Sequence, residues 1–246
     1  MAKILEKDFK ISLVLPLHDR PHSQFKSLRF TQRLAFLSRL PETSPYLADL
    51  ERGKMKLLVS STSWTPDEDF SVLLSALATY SDMANSTHPE LPELLVIITG
   101  KGPQKNYYLE KVAELKEQGK LEMINLKTAW LSTEDYALLL GAADLGVSLH
   151  TSSSGVDLPM KVVDMFGAGL PVIAWRFKAL KELVIDGVNG ESFGSAEELL
   201  GTLTDLLGGD EKKLLKLKEG AIKEGDRRWD DEWGQTAGEV FGELFG

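Results

Sequence analysis

The stretch LGVSLHTSSSGVDLPMKVVDMFGAGLPVIAW, Leu145–Trp175, holds one complete unit of an alternating architecture. Leu145–His150 is apolar at nearly every position and runs into a polar loop, the pattern of a strand covered on both faces. Leu158–Gly167 follows with apolar residues at helical spacing, Gly169 stands where the helix should end, and Pro171–Trp175 is a second short apolar run. Two such strands joined through a helix form a parallel crossover.

The alternation continues in both directions. Further strands are expected at Lys56–Ser61, Leu94–Gly100 and Leu121–Leu126, with a weaker one at Gly190–Phe193. Helices are expected at Phe70–Tyr80, Gln104–Gln118, Thr133–Ala142 and Ala179–Val184. Ser132 with Asp135, and Ser195 with Glu198, have the spacing of capping boxes. The fold class is therefore α/β, a doubly wound parallel sheet over residues 55–207. Residues 1–54 read as a linker with one strand (Ile11–Leu17) and one helix (Thr31–Arg39), and residues 208–246 as two helices, Glu211–Glu224 and Trp229–Phe245.

Composition narrows the function. The chain has 246 residues, 43% of them hydrophobic, which is enough for one large core. With 28 basic and 37 acidic residues its formal charge is −9, which opposes a phosphate backbone and argues against nucleic-acid binding. There is no cysteine, so disulfides and thiolate metal sites are excluded. No apolar run reaches the ~18 residues that span a bilayer, and Met1–Lys10 lacks a signal-peptide core, so the chain reads as soluble.

In open parallel sheets ligands sit beyond the carboxyl ends of the strands. After Leu145–His150 comes Thr151–Asp157, four hydroxyl residues and Gly155 directly before a helix: hydroxyl donors, close backbone approach and about half a positive charge at the helix start. Asp157, Lys161 and Asp164 share one helical face. Lys161 suits a phosphate and Asp164 suits two ribose hydroxyls. The same spacing also accommodates Asp157 as N-cap and a Lys161–Asp164 pair with no ligand at all. No GxGxxG follows any strand, which argues against a dinucleotide oxidoreductase, and Gly100-Lys101-Gly102-Pro103 lacks P-loop spacing.

These residues carry a resemblance. HTSSSGVDLPMKVVDMFGAGLP (His150–Pro171) resembles the donor-site signature of chitobiosyldiphosphodolichol β-mannosyltransferases. SSTSWTPDEDF (Ser60–Phe70), TGKGP (Thr99–Pro103), LHDRP (Leu17–Pro21) and RRWDDEW (Arg227–Trp233) fit the same family, so the likeness runs along nearly the whole chain. It implies the two-domain GT-B fold, of which residues 55–207 would be the Rossmann-like donor half and the final helix a crossover. Asp164 matches the second, ribose-binding acid of the wider retaining group, whereas Val156, eight residues upstream, stands where that group has a glutamate. The wider group's basic pair after the first strand of this domain is also missing; Ser63, Trp64, Asp67 and Glu68 occupy that loop. The dolichol mannosyltransferases invert at the anomeric carbon, and both departures are expected within them.

The resemblance implies GDP-mannose as substrate, with no cofactor and no metal. Donor contacts would come from Ser63 and Lys101, from Trp130 and Leu131 beside the guanine, from His150 and the loop Ser152, Ser153, Ser154 and Gly155, and from Met160, Lys161 and Asp164. On its own a histidine such as His150 is more often a structural hydrogen-bonder, and Trp130 reads equally as ordinary packing. The catalytic base is left unassigned, with Asp157 a weak candidate. The acceptor would be dolichol-linked chitobiose at the cytosolic face of the endoplasmic reticulum, and other glycosyltransferase subunits would be partners. As only the donor half, the chain would be inactive alone. The alternatives are a non-catalytic donor-binding subunit that completes its site with a membrane partner, and an engineered scaffold domain.

Overall fold

A computed structural model describes residues 10, 14–152, 154–238 and 240–242. Six parallel strands form one sheet: β1 (Met55–Ser61), β2 (Glu93–Thr99), β3 (Ile124–Ala129), β4 (Leu145–Ser148), β5 (Val172–Trp175) and β6 (Gly190–Phe193), in the order β3-β2-β1-β4-β5-β6. The order reverses between β1 and β4, and that is the switch point at which such sheets open a crevice. β1 is buried at all but one position and is paired on both sides, to β2 and to β4. β3 alternates and exposes Lys127, as suits an edge.

Alternate side chains of each strand feed two cores. Leu57, Val59, Leu95 and Ile97 point to one face, which α1 (Phe30–Arg39), α5 (Thr133–Ala142) and α6 (Met160–Gly167) cover with Phe36, Leu37, Leu139, Leu140, Val162 and Phe166. Leu58, Leu94, Val96 and Ile98 point to the other, under α3 (Phe70–Ser86), α4 (Lys105–Glu117) and α7 (Ala196–Gly208). A short α2 (Leu47–Glu51) follows α1, and α8 (Glu211–Gly225) and α9 (Trp229–Trp233) close the chain. The expected helix at Thr31–Arg39 is α1, and it buries Phe36 and Leu37 in the first core. Ser132 and Ser195 cap α5 and α7 as their spacing predicts, accepting from the Asp135 and Glu198 amides.

Several expectations are corrected. β3 begins at Ile124, not Leu121: the apolar side chain of Leu121 is buried, but the ladder to β2 starts at the Leu94–Ile124 pair. Ala179–Val184 makes only a 3₁₀ turn at Leu180–Glu182. The expected helix at Trp229–Phe245 is interrupted: α9 ends at Trp233, a π-turn follows at Gly234–Gly238, where two glycines weaken α-helical pairing, and residues 240–242 are α-helical again; residues 239 and 243–246 lie outside the described set. The Ile11–Leu17 strand is partly outside it, and residues 14–17 carry no regular structure. No described helix is long and apolar enough to cross a membrane.

Candidate functional site

The loops that leave β1 and β4 meet at the switch point. Thr151 after β4 donates its hydroxyl to the Asp67 carbonyl, 2.5 Å away, in the loop after β1. Lys161, in the first turn of α6, reaches across to Ser63 Oγ (3.2 Å) and to the Glu68 carboxylate (2.5 Å). The Lys161–Asp164 pairing that helical spacing allows is not formed, because the buried carboxylate of Glu68 takes the ammonium.

The loop after β1 is tightly determined. Trp64 is fully buried at φ 51°, a left-handed conformation that is costly for a bulky residue. Its amide donates to Thr62 Oγ1 and its indole N–H to the Gly100 carbonyl. The turn after β2 packs beneath it so closely that a Cβ on Gly100 (φ +119°) would lie 1.9 Å from the Thr62 carbonyl oxygen. We expect Gly100→Ala to lower stability in urea unfolding by ~2 kcal/mol or more, through both the clash and the φ. Gly53→Ala is the control, at φ +72° with open space around it; equal losses in the two variants would show that the close packing does not matter.

The serine-rich loop is organised around Asp157. Its carboxylate accepts from the hydroxyls of Ser152 and Ser154 and lies 3.2 Å from His150 Nε2. The Ser152 and Ser154 hydroxyls hold its pKa down at about 2, so it is a poor proton acceptor. Asp157 is not an N-cap either: α6 begins at Met160 with Pro159 in the cap position and no side-chain cap bond. Ser153 lies outside the described residues. Gly155 has open space where a Cβ would stand, and Met160 is exposed.

Asp164, one turn into α6, is the opposite case. Burial pushes its carboxyl up to about 6, with no hydrogen bond among the described residues to offset it. It neighbours Tyr136, whose hydroxyl lies 3.0 Å from Ser61 Oγ at the end of β1 and which burial raises to about 12. A half-buried carboxyl without a donor, at the mouth of the switch point, is fitted to accept hydroxyls from a ligand. Farther along the sheet edge, Lys101 Nζ stands 3.9 Å from the centroid of the Trp130 ring, which is 64% exposed. This leaves one flat aromatic face beside a cation. Leu131 is partly buried against the first core.

The sequence singled out Ser63, Lys101, His150, Lys161 and Asp164; the structure places the first three on the loops after β1, β2 and β4 and the last two on α6. Sequence reading placed Glu68 in this loop without a role. Its burial (2% exposed) was invisible in a run of acidic residues, SWTPDED, that reads as solvated. A second assembly joins the chain ends: Arg20 is enclosed between Glu224 (2.6 Å) and Glu232 (2.7 Å), and Arg228 donates to the carbonyls of Pro21, His22 and Phe25. LHDRP and RRWDDEW are thus two halves of one contact. No group of three or more metal-ligating side chains occurs among the described residues.

A family model described as "Glycosyl transferases group 1" matches residues 55–208. The chain is 58% identical over 234 residues to a chitobiosyldiphosphodolichol β-mannosyltransferase of Arthroderma benhamiae, covering 94% of this chain and 52% of that protein. It is 45% identical to the protein of the same name from Debaryomyces hansenii, covering 94% and 50%. The chain thus spans about half the length of these curated relatives. In fold it matches the Anabaena protein HepE, solved in complex with UDP, at a TM-score of 0.68 and 18% identity over 92% of this chain and 57% of that one. The sheet order, the loops that converge on its switch point and these similarities together establish that the chain belongs to the group 1 glycosyl transferases, with the Rossmann-like fold of one half of a GT-B enzyme and with chitobiosyldiphosphodolichol β-mannosyltransferases as its sequence relatives.

Proposed function

We propose that this chain is the GDP-mannose-binding domain of an inverting β-1,4-mannosyltransferase acting on GlcNAc2-diphosphodolichol. It is inactive by itself because the acceptor is held by the other half of a longer protein. The observation that carries the reading is Asp164: a carboxyl with no donor among the described residues, half-buried beside Lys161 and the serine-rich loop at the switch point. Its two oxygens suit a ribose diol, Lys161 and the α6 amides suit the diphosphate, and the face of Trp130 suits a base. In the assembled enzyme the acceptor hydroxyl attacks the anomeric carbon and GDP departs, its developing charge met by Lys161 and those amides. Nothing in this scheme calls for a metal.

The test is a thermal-shift and calorimetry panel of GDP, UDP, ADP and their sugars. A GDP-selective response is expected. Trp130→Ala, at an exposed position the fold does not need, is expected to weaken binding by about tenfold. A UDP-selective response would reassign the donor, and no binding at millimolar ligand by the folded protein would end the reading.

A further inference from the structure

Glu68 is the most deeply buried carboxylate at the site, and each of its oxygens is engaged. Oε2 accepts from Thr62 Oγ1 (2.7 Å) and from the Ser63 amide (2.5 Å), and Oε1 meets Lys161 Nζ (2.5 Å). The Lys161 side chain is 28% exposed against 3% for Glu68, so the ammonium faces the crevice and the carboxylate sits behind it. Two of the three ammonium hydrogens are committed, to Glu68 and to Ser63 Oγ, and the third is left for a ligand. Were Lys161 to swing wholly onto a phosphate, Glu68 would remain buried without its counter-ion, which is strongly unfavourable. Lys161 therefore serves a bound anion while still held by Glu68.

A ligand oxygen on that third hydrogen lies roughly 5 Å from the Glu68 carboxylate, close enough for repulsion to matter. The surroundings do not dilute it, because Asp67, Asp157 and Asp164 are also acidic and Lys101 is over Trp130. A free nucleoside diphosphate carries about one more negative charge near neutral pH than its sugar ester, since its terminal phosphate ionises with a pKa of about 6. We propose that Glu68 is a positioning and specificity-determining residue. It fixes the Lys161 ammonium and the Ser63 amide toward the diphosphate, and it offsets the lysine charge so that the site does not favour the spent nucleoside diphosphate over the sugar-bearing donor. The consequence is that the spent nucleotide does not outcompete fresh donor for the site.

This inference rests on the donor-site reading, and the experiment separates the two. GDP and GDP-mannose affinities are measured by calorimetry on the wild-type chain, Glu68→Gln and Glu68→Asp. The wild type is expected to hold the two ligands within about threefold of each other, Glu68→Gln to shift the preference toward GDP by about tenfold, and Glu68→Asp to keep the wild-type ratio. A role confined to folding would change both affinities together and leave the ratio alone. The inference is overturned if both ligands bind Glu68→Gln with a ratio within about twofold of wild type, or if the wild type itself prefers GDP by about tenfold or more. Should Glu68→Gln fail to fold, the wild-type ratio decides. If the wild type binds neither nucleotide, the donor-site reading has failed and this inference falls with it.

Discussion

Asp164→Asn is expected to stabilise the protein and to cripple nucleotide binding at once. The carboxyl sits at about 6 in the folded chain, against an ordinary value of 3.8, and burial is the cause. A folded pKa raised above the unfolded one means the folded state holds the proton more tightly. The ionised side chain therefore costs nothing below pH ~4, costs progressively more between ~4 and ~6, and bears its full cost above ~6. Allowing for partial solvent access, that cost is about 1–2 kcal/mol, so the neutral amide should raise Tm by ~2–8 °C at pH 7.5 and leave it unchanged near pH 4. Under the proposed donor-site reading the same change removes the charge that would receive the ribose hydroxyls, and GDP affinity should fall by about 10–100-fold. In the wild type the affinity for GDP-mannose, which has no phosphate ionisation near pH 6, should decline below pH ~6 as the carboxyl protonates, whereas the Asn variant should lack that inflection. A Tm that is unchanged at pH 7.5, or undiminished GDP binding, would contradict the assignment. The expected opposition of stability and binding is what a site kept ready for a ligand produces.

Arg20→Ala should cause the largest loss of stability of any substitution considered. The Arg20 side chain is 3% exposed, with Nη1 2.6 Å from Glu224 and Nη2 2.7 Å from Glu232. Burial alone would push the Glu232 carboxyl up; Arg20, joined by Arg227, reverses this and holds it below its ordinary value. Removing Arg20 leaves two largely buried carboxylates with only the half-exposed Arg227 between them. A broken buried pair of this kind costs about 3–5 kcal/mol, or ~6–20 °C in Tm for a chain of this size. Because the folded pKa of Glu232 is depressed, its contribution is present above the unfolded value of about 4.5 and lost as pH falls through the folded one. The gap between variant and wild type should therefore narrow toward pH 4. Adding Glu224→Gln and Glu232→Gln should recover part of the loss. If Arg20→Ala unfolds in urea like the wild type, the two termini are not joined through this contact.

Much of the fold was legible because the strands of a sheet covered on both faces are short and almost purely apolar. The β1, β2, β4 and β5 segments announce themselves in this way, and Ser132 and Ser195 mark helix starts by a local hydrogen bond that needs no tertiary information. Boundaries set by pairing were not legible: β3 starts where its ladder to β2 does, three residues after the first apolar side chain. The site divides in the same manner. Lys161 and Asp164 were found because a helix start after a serine-rich loop is a local pattern. Their partners were not, since Glu68 lies 93 residues from Lys161 and the two meet only when the loops of β1 and β4 converge.

What the sequence determines by itself is therefore the alternating parallel architecture and the position of the serine-rich loop before α6, both written in short-range hydrophobic periodicity and turn chemistry. Only the tertiary structure decides the electrostatics: that Asp157 is quenched by serines, that Asp164 has no donor among the described residues, that Glu68 is buried and holds Lys161, and that Arg20 is joined to Glu224 and Glu232. The reason is physical. Periodicity and capping act over a few residues of contiguous chain, whereas the cost of a charge depends on what surrounds it, and residues distant in sequence supply those surroundings.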